Sequence, residues 1–554
     1  MLKGEKSILD ELSYRRKAMD SEYSHWEPHF KELRDAILPS RGRFETTERR
    51  SDSSINKRII DSTAAMSLRA LGSGLMAGMT SPSRPWFRLG LHGMEARNDP
   101  KAKEYLHEAE KRLYTVLRGS NVYQMLRRCY DDLGLFGTFG GMIVPDFENV
   151  VHAHSFQMGS YRIGDNGTGD IISLHRKVKM TVAGVVEMFG EDKVSNHVRQ
   201  MFKSGAHFET VTVCHAVERR RDGDATSILP RNKPWASYYW EDTATDTFLM
   251  ISGHSVNPLL VPRWDEVPGE AWSASSPGMM ALGDALQLQV QQRDKGMAIQ
   301  LSYKPMLQSS GMPNLFVRSV PGGVTTVNTQ DLQRGGLRPV HEVKPDINGL
   351  VMDIQETQRR IETAFFKDLF LMTSVGIAGR SQVTAAEIAE RHEEKLLQLG
   401  PVLESLDHGL LQPLIEATFH FMQEADILPP APESIVGRPV KVEYISLLAQ
   451  AQRAIGVGAI ERTIGFAGTL AQIKPEVLDL LDGETAMREF ADYVGPPPAL
   501  LHTPDEVEQN RAARAEQQAQ QSMIENAQPM AQAAKLISEA NMMGAEALQR
   551  GAAL

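Results

Sequence analysis

His152 and His154 are the first residues in this chain whose types and spacing suit metal chemistry. On an extended strand they share one face, as zinc ligands often do. Cys214-His215 offers a thiol and an imidazole elsewhere. No spaced carboxylate or further cysteine completes either set, so core or surface roles are expected for all four. Gly253-His-Ser-Val-Asn257 begins like the elbow that presents a nucleophilic serine, but it lacks the closing glycine. A hydrolase built on Ser255 is therefore an outlying alternative. Arg391-His-Glu-Glu-Lys395 is not the HExxH of a zinc protease, and no GxxxxGK[ST] loop is present to hold nucleotide phosphates. No Asp or Glu pair stands out as acid and base. The chain reads as a non-enzyme, with no catalytic residue, no metal and no cofactor.

If side-chain chemistry is not the point, the elements that would have carried it become the subject. At 554 residues the chain is too long for one core, and several domains are expected. Hydrophobic content of 42% and charged content of 23% are ordinary for a globular protein. The net charge of −10 argues against gripping nucleic acid along the whole surface, which takes clustered Lys and Arg. It does not argue against walls past which DNA slides. Cys129 and Cys214 form no CxxC pair, so neither a disulfide framework nor a cysteine zinc site is expected. Met1-Leu-Lys-Gly-Glu-Lys6 leads into no apolar core of a signal peptide, and no run approaches the roughly 20 apolar residues of a membrane span. A soluble protein made in the cytoplasm is expected.

The pattern along the chain predicts an α+β, predominantly helical protein. Residues 1–80 read as mostly helical, with a turn at Pro39-Ser-Arg-Gly42 and a polar loop at 45–57. A stripe of Tyr105, Leu106, Leu113, Val116 and Leu117 predicts helix over 102–133, broken by Gly134, Gly137, Gly140 and Gly141. From about 142 to 265, short alternating segments such as Thr210-Val-Thr-Val-Cys-His-Ala-Val217 predict antiparallel sheet, interrupted by helix at 181–203.

Residues 279–302 form a proline-free helical pattern, with Leu282, Leu286, Val290 and Met297 on one side and glutamines at several other positions. Pro305 and Pro313 end it. Residues 303–345 are rich in Gly, Pro and Val and predict a small β-containing excursion, after which a second helix runs over about 347–371. Two helices flanking a compact insertion make a stalk with a tip. The tip carries Lys304, Arg318, Arg334, Arg338 and Lys344 against Asp331 and Glu342, a local basic excess in an acidic chain.

Leu371-Met-Thr-Ser-Val-Gly-Ile-Ala-Gly-Arg-Ser-Gln-Val383 has the glycines and small polar residues of a pliable loop, with one positive charge at Arg380. Thr384-Ala-Ala-Glu387 is a capping box that opens a helix to about 424, bent at Gly400-Pro401 and at Pro413. Glu387 and Arg391 have the spacing of a surface ion pair. Val440-Lys-Val-Glu-Tyr444 is a strand candidate, with helices over 445–493. The stretch 503–554, rich in Ala, Gln and Glu, predicts helix with a break at Pro529, and a frayed tail is the alternative for its end.

One segment stands out. Asp61-Ser-Thr-Ala-Ala-Met-Ser-Leu-Arg-Ala-Leu-Gly-Ser-Gly-Leu-Met-Ala-Gly-Met-Thr80 runs into Ser81-Pro-Ser-Arg-Pro-Trp-Phe-Arg-Leu89. Asp61 or Ser62 can cap the helix, and Ala64, Leu68, Leu71, Leu75 and Met79 follow the spacing of one buried face. Gly72, Ser73, Gly74, Ala77 and Gly78 let another backbone approach, at a propensity cost of up to about 1 kcal/mol per glycine. A helix with so many weak formers needs its neighbours to hold it. Pro82 and Pro85 stop it, and Trp86-Phe87 supply an apolar anchor just beyond.

This segment resembles the hallmark of the portal, or head-to-tail connector, proteins of short-tailed bacteriophages. Pro277-Gly-Met-Met-Ala-Leu-Gly-Asp284, Thr384-Ala-Ala-Glu-Ile-Ala-Glu-Arg391 and Gly495-Pro-Pro-Pro498 resemble further family motifs in the same order. The resemblance implies a portal fold: a wing over 1–278, a stem helix at 279–302, a clip at 303–345 and a second stem helix at 346–371. A tunnel loop at 372–383, the long kinked wing helix and following segment at 384–455, and a crown at 456–554 complete it. It further implies a ring, a dodecamer on the virion, whose channel passes double-stranded DNA during packaging and ejection; a structural capsid or tail protein without a channel is the alternative. The implied partners are the terminase large subunit, tail adaptor and tail tube proteins, and the major capsid and scaffolding proteins. By the same resemblance Thr373, Ser374, Gly376, Gly379 and Arg380 line the channel as the tunnel loop. The charge of Lys304, Arg318, Arg334, Arg338 and Lys344 reads as a clip tip that docks on an acidic motor or tail-adaptor surface or steers DNA into the channel, with a solvated loop as the alternative. A separate motor would supply ATP hydrolysis.

Overall fold

The structure, a computed structural model, describes residues 3–44, 59–91, 100–243, 247–303, 307–309, 337–339, 346–369, 399–432, 440–444, 460 and 462–470. It also describes 474, 482–483, 485–487, 490, 507, 509–518 and 535–538. The chain divides into two units. The first comprises Met1–Gly90, Glu108–Pro430 and Val440–Gln452, and the second comprises Leu91–His107, Ala431–Pro439 and Arg453–Leu554. Within the second unit, 462–470, 509–518 and 535–538 are helical, as their composition predicts.

In chain order the helices are α1 (Lys3–Ile37), α2 (Thr63–Met79), α3 (Pro100–Gly119), α4 (Val122–Phe136), α5 (Val182–Phe189), α6 (Asn196–Lys203), α7 (Pro277–Tyr303), α8 (Ile347–Ala364), α9 (Gly400–Leu406) and α10 (Gln412–Glu424). The strands are β1 (Phe87–Leu91), β2 (Gly141–Asp146), β3 (Val150–Ser155), β4 (Tyr161–Asp165), β5 (Ile171–Thr181), β6 (Thr210–Arg219), β7 (Trp235–Glu241), β8 (Phe248–His254), β9 (Leu259–Leu260), β10 (Leu307–Ser309), β11 (Leu337–Pro339) and β12 (Val440–Tyr444). The mixture of helices with segregated sheets is the α+β arrangement the sequence predicts.

β4 to β8 form one antiparallel sheet in sequential order. Alternation along β6 explains its two coats. Cys214 and Ala216 join Leu9 and Leu12 of α1 on one face, while Val211 and Val213 join Val182, Val185 and Val198 of α5 and α6 on the other. A second sheet has the order β3-β2-β9, and β1 pairs with β12. Between the sheets and α1 lies an aromatic core. Phe30 meets Phe136 edge-on at 5.8 Å and Trp272 at 5.7 Å, and Trp272 reaches Tyr161 at 5.7 Å.

Three expectations change in detail. The helix expected over 102–133 is two helices, because the amide of Asn121 pairs with the main chain of β3. Its Nδ2 donates to Ala153 O and its Oδ1 accepts from Ala153 N, each at 2.8 Å. The helix at 181–203 is likewise split, with Thr181 and Ser195 each capping one half. The second helix of the predicted stalk stops at Ala364 rather than 371: Phe365 is fully buried, and Phe366 takes φ +53° before a last helical turn. The bend beyond Gly400 has a cause the prolines alone did not give. Pro401 and Pro413 sit in first turns, and Asp407–Leu411 between them is a π-helical turn. There Gly409 lies so close to Pro262 that an added Cβ would stand 2.9 Å from its Cα.

Of the four glycines expected to break α4, Gly134 stays inside it and Gly137 ends it. Gly137 has φ +74°, and an added Cβ would meet Ser275 O at 2.8 Å. Gly137→Ala should therefore lower stability by more than about 1 kcal/mol, from left-handed strain plus displaced backbone. Thermal unfolding of the full chain measures this, and an unchanged midpoint would contradict it.

Candidate functional site: a motif helix clamped to a helix pair

The expected buried face of α2 is observed: Ala64, Leu68, Leu71, Leu75 and Met79 are all buried, together with Ser67 and Gly72. Its partner is α4. An added Cβ at Gly72 would lie 2.4 Å from Asp131 Oδ1, and one at Gly134 would lie 2.8 Å from Leu68 Cδ1, so small residues on both helices permit the approach. A Cβ added at Gly78 would meet no other element among the described residues within 4 Å, so the small-residue reading holds at Gly72 and not there. Asp131 is paired with Arg41 at 2.8 Å and Arg127 at 3.4 Å. Sequence reasoning missed that cluster, because a pair of acids in an amphipathic helix carries no mark of burial.

At its far end α2 is pinned by the predicted anchor. Trp86 and Phe87 are buried. Their backbone N–H groups both donate to Tyr114 Oη at 2.8 Å, Tyr114 donates to Phe87 O at 2.8 Å, and the Phe87 and Tyr114 rings stack at 4.4 Å. Arg84 donates to Ala77 O, satisfying a carbonyl at the helix C-terminus. Thr80 Oγ1 and Tyr130 Oη are hydrogen-bonded at 3.0 Å.

At its near end α2 meets α7 and α8, which pack side by side and antiparallel. Gln291 donates to Asp353, and Arg360 donates to Asp284 at 3.1 Å, so the pairing partner falls as the residue number rises. The junction is Asp61. One carboxylate oxygen accepts from Thr63 N at 2.8 Å and Thr63 Oγ1 at 2.6 Å. The other accepts from Gln292 of α7 at 2.8 Å and Gln358 of α8 at 2.9 Å. The Gln289 amide grips the main chain, accepting from Ile60 N and Asp61 N and donating to Asp61 O. Sequence reading placed Asp61 or Ser62 as a cap. Ser62 holds the cap position with no side-chain bond, and Asp61 does more than cap.

Burial alone would push the Asp61 carboxyl up. The hydrogen bonds from Thr63, Gln358 and Gln292 outweigh it and hold the carboxyl below its ordinary value. A depressed folded-state pKa gives stability that is present above the unfolded value and lost as pH falls through the folded one. The stability difference between the native chain and Asp61→Asn should therefore be constant near neutrality and shrink in acid below the ordinary Asp range. Chemical denaturation across pH reads it out, and a difference that grows in acid would contradict it.

The side predicted to pack on α7 is only partly the one that does. Ala281, Leu282, Ala285 and Leu288 are buried, whereas Leu286, Val290 and Met297 are 41%, 52% and 54% exposed. Small alanines and leucines face the neighbouring helices, and the larger stripe is left open. Of the predicted tip residues, Lys304, Arg318, Arg334 and Lys344 lie outside the described residues. Arg338 lies in β11, whose antiparallel pairing with β10 sets it opposite Gln308. Thr373, Ser374, Gly376, Gly379 and Arg380, the capping box at Thr384 and the Glu387–Arg391 pair also lie outside the described residues.

The chemical motifs come apart. The His152 and His154 rings are 4.7 Å apart, but no cluster of three metal-binding side chains occurs among the described residues. Cys214 is buried beside Asp242, with Sγ to Oδ1 at 3.3 Å, and burial pushes its thiol up to about 12. Ser255 donates to Glu424 at 3.4 Å, so a carboxylate and not an imidazole meets the hydroxyl. Burial opposes ionisation of Glu424, but Lys233 and His420 hold it below its usual value, which makes it a poor base. No helix among the described residues is long and apolar enough to cross a membrane.

A family model described as bacteriophage head to tail connecting protein matches residues 9–501. The chain belongs to that family, as its motifs suggest. It is 42% identical over 510 residues to a probable portal protein of Bordetella phage BPP-1, covering 91% of each chain. It is 37% identical over 533 residues to the portal protein of Salmonella phage epsilon15, covering 96% of this chain and 95% of that one. Among solved structures, the neck of an empty GTA particle computed with C6 symmetry covers 80% of this chain and 96% of its own, at 12% identity and a TM-score of 0.34. That likeness is too slight to bear on the fold.

Proposed function

We propose that this chain is one subunit of a portal ring at a capsid vertex of the virion, through which double-stranded DNA is packaged and later ejected. One observation carries the reading: α7 and α8 stand side by side, and α7 leaves an apolar stripe uncovered. Leu286, Val290, Met297 and Leu301 are each at least 36% exposed and fall within about 60° of one another around the helix. An uncovered stripe of this size on a lone subunit marks a contact surface. Head-to-tail contacts that close into a ring would cover it.

On this reading 1–278 is wing, α7 and α8 are the stem, 303–345 is clip, 372–383 is the tunnel loop, 384–455 returns to the wing and 456–554 is crown. The work is geometric rather than chemical, which accords with the scattered reactive side chains. A net charge of −10 suits walls past which DNA slides. The ring would be a dodecamer formed in the host cytoplasm among capsid and scaffolding proteins. Its clip would dock the terminase large subunit first and tail adaptors later. Thr373, Ser374, Gly376, Gly379 and Arg380 would edge the channel, where one weak phosphate contact per subunit hinders sliding little.

Negative-stain imaging of the purified chain tests the assembly: rings with central holes support it, and sheets or monomers reject it. The clip is tested by Arg334→Glu with Arg338→Glu, which should weaken motor binding about tenfold or more through reversed charge at the tip. Unaltered binding and packaging would count against the tip as the docking site.

A further inference from the structure

We infer that Asp61 is the positioning residue that sets the paired helices α7 and α8 on the start of α2, and that its negative charge, not merely its size, is what holds this junction. The inference rests on reading those helices as the channel lining. Its basis is the saturation of one carboxylate by donors from three elements: Thr63 of α2, Gln292 of α7 and Gln358 of α8. An ionised carboxylate has about four acceptor sites, and all four are taken by donors. An asparagine would offer one acceptor oxygen and turn an NH2 group towards donors. Glutamine side chains are costly to immobilise, yet Gln289, Gln292 and Gln358 are all ordered on this one residue. Among the described residues, every hydrogen bond from the start of α2 to these two helices runs through the Asp61 or Gln289 side chain.

The other end of α2 is tied to Tyr130, and the turn beyond it to Tyr114. Seventeen residues make a rod about 25 Å long. The Asp61 carboxylate thus joins the near end of this rod to the helix pair, while the start of α7 is held separately on α4, where Ser276 Oγ donates to Leu135 O at 3.0 Å.

Hydrogen–deuterium exchange of the full-length protein tests this. Asp61→Asn should raise amide exchange in α7 and α8 about tenfold while leaving β5–β7 unchanged. Adding Gln292→Glu, which restores an acceptor opposite the new amide donor, should recover at least half of the protection. Should Asp61→Asn fail to fold, Gln358→Met removes a single donor without touching α2 and should loosen α8 in the same way. Exchange that is unaltered in α7 and α8, or that rises equally in the sheet, overturns the inference, as does a double variant no better protected than Asp61→Asn. Imaging of the same samples keeps the two readings apart, since the α7 stripe is intact in every variant. Rings with loosened helices bear out both readings, whereas loosened helices without rings, in the native chain too, count against the ring alone.

Discussion

A chain carrying Leu286→Asp and Val290→Asp should fold and remain a monomer. The two side chains are 41% and 52% exposed in the lone subunit, so little native packing is disturbed. In a ring they would be covered, and full burial of such a side chain is worth about 1.5–3 kcal/mol. Because each is already about half buried, losing both weakens each contact by about 1.5–3 kcal/mol, on the order of tenfold to a hundredfold. Burying two unpaired carboxylates adds to that cost. Analytical ultracentrifugation beside circular dichroism separates the outcomes. A folded monomer is expected, and a double variant that still closes into rings would move the interface off this stripe.

Trp86→Ala should cost about 3–5 kcal/mol, the usual range for emptying a buried aromatic site. Trp86 is 2% exposed, stands 4.7 Å from the Phe87 ring at a steep angle and donates Nε1–H to Tyr123 Oη at 3.3 Å. Domain stabilities of about 5–15 kcal/mol leave little margin for such a loss, so a markedly lower unfolding midpoint and reduced soluble yield are expected. Phe147, wholly exposed at the β2–β3 turn, is the control: Phe147→Ser should shift stability by less than about 0.5 kcal/mol. Equal effects at the two positions would remove the anchor from the account.

How much of this was legible in the sequence depended on whether the cause was local. The buried face of α2, the aromatic anchor behind Pro85 and the strand at Val440–Tyr444 follow from spacing and side-chain type, and all are present. The antiparallel sheet and the helix pair were equally visible. Failures came where a distant partner decided. Asn121 splits a helix because β3 offers it a main chain to pair with, and nothing in the residues around Asn121 announces that partner. On α7, hydrophobic spacing correctly found a stripe at Leu286, Val290 and Met297, but it could not tell a face buried within the subunit from one left open. The glutamines of α7 were visible as a run of polar residues. That Gln289 and Gln292 close on Asp61, more than two hundred positions earlier, emerges only from the packing. Asp61 was legible as a helix start, and its second task was not.

The central claim is that α7 and α8 stand around an axial opening wide enough for duplex DNA. A single-particle reconstruction of the assembled full-length protein tests it most directly. The account predicts a closed ring in which these two helices line the bore, with the Leu286–Val290–Met297 stripe against the neighbouring subunit. A compact particle with no axial opening, or a ring whose bore is lined by the β4–β8 sheet while α7 and α8 lie on the periphery, would contradict it.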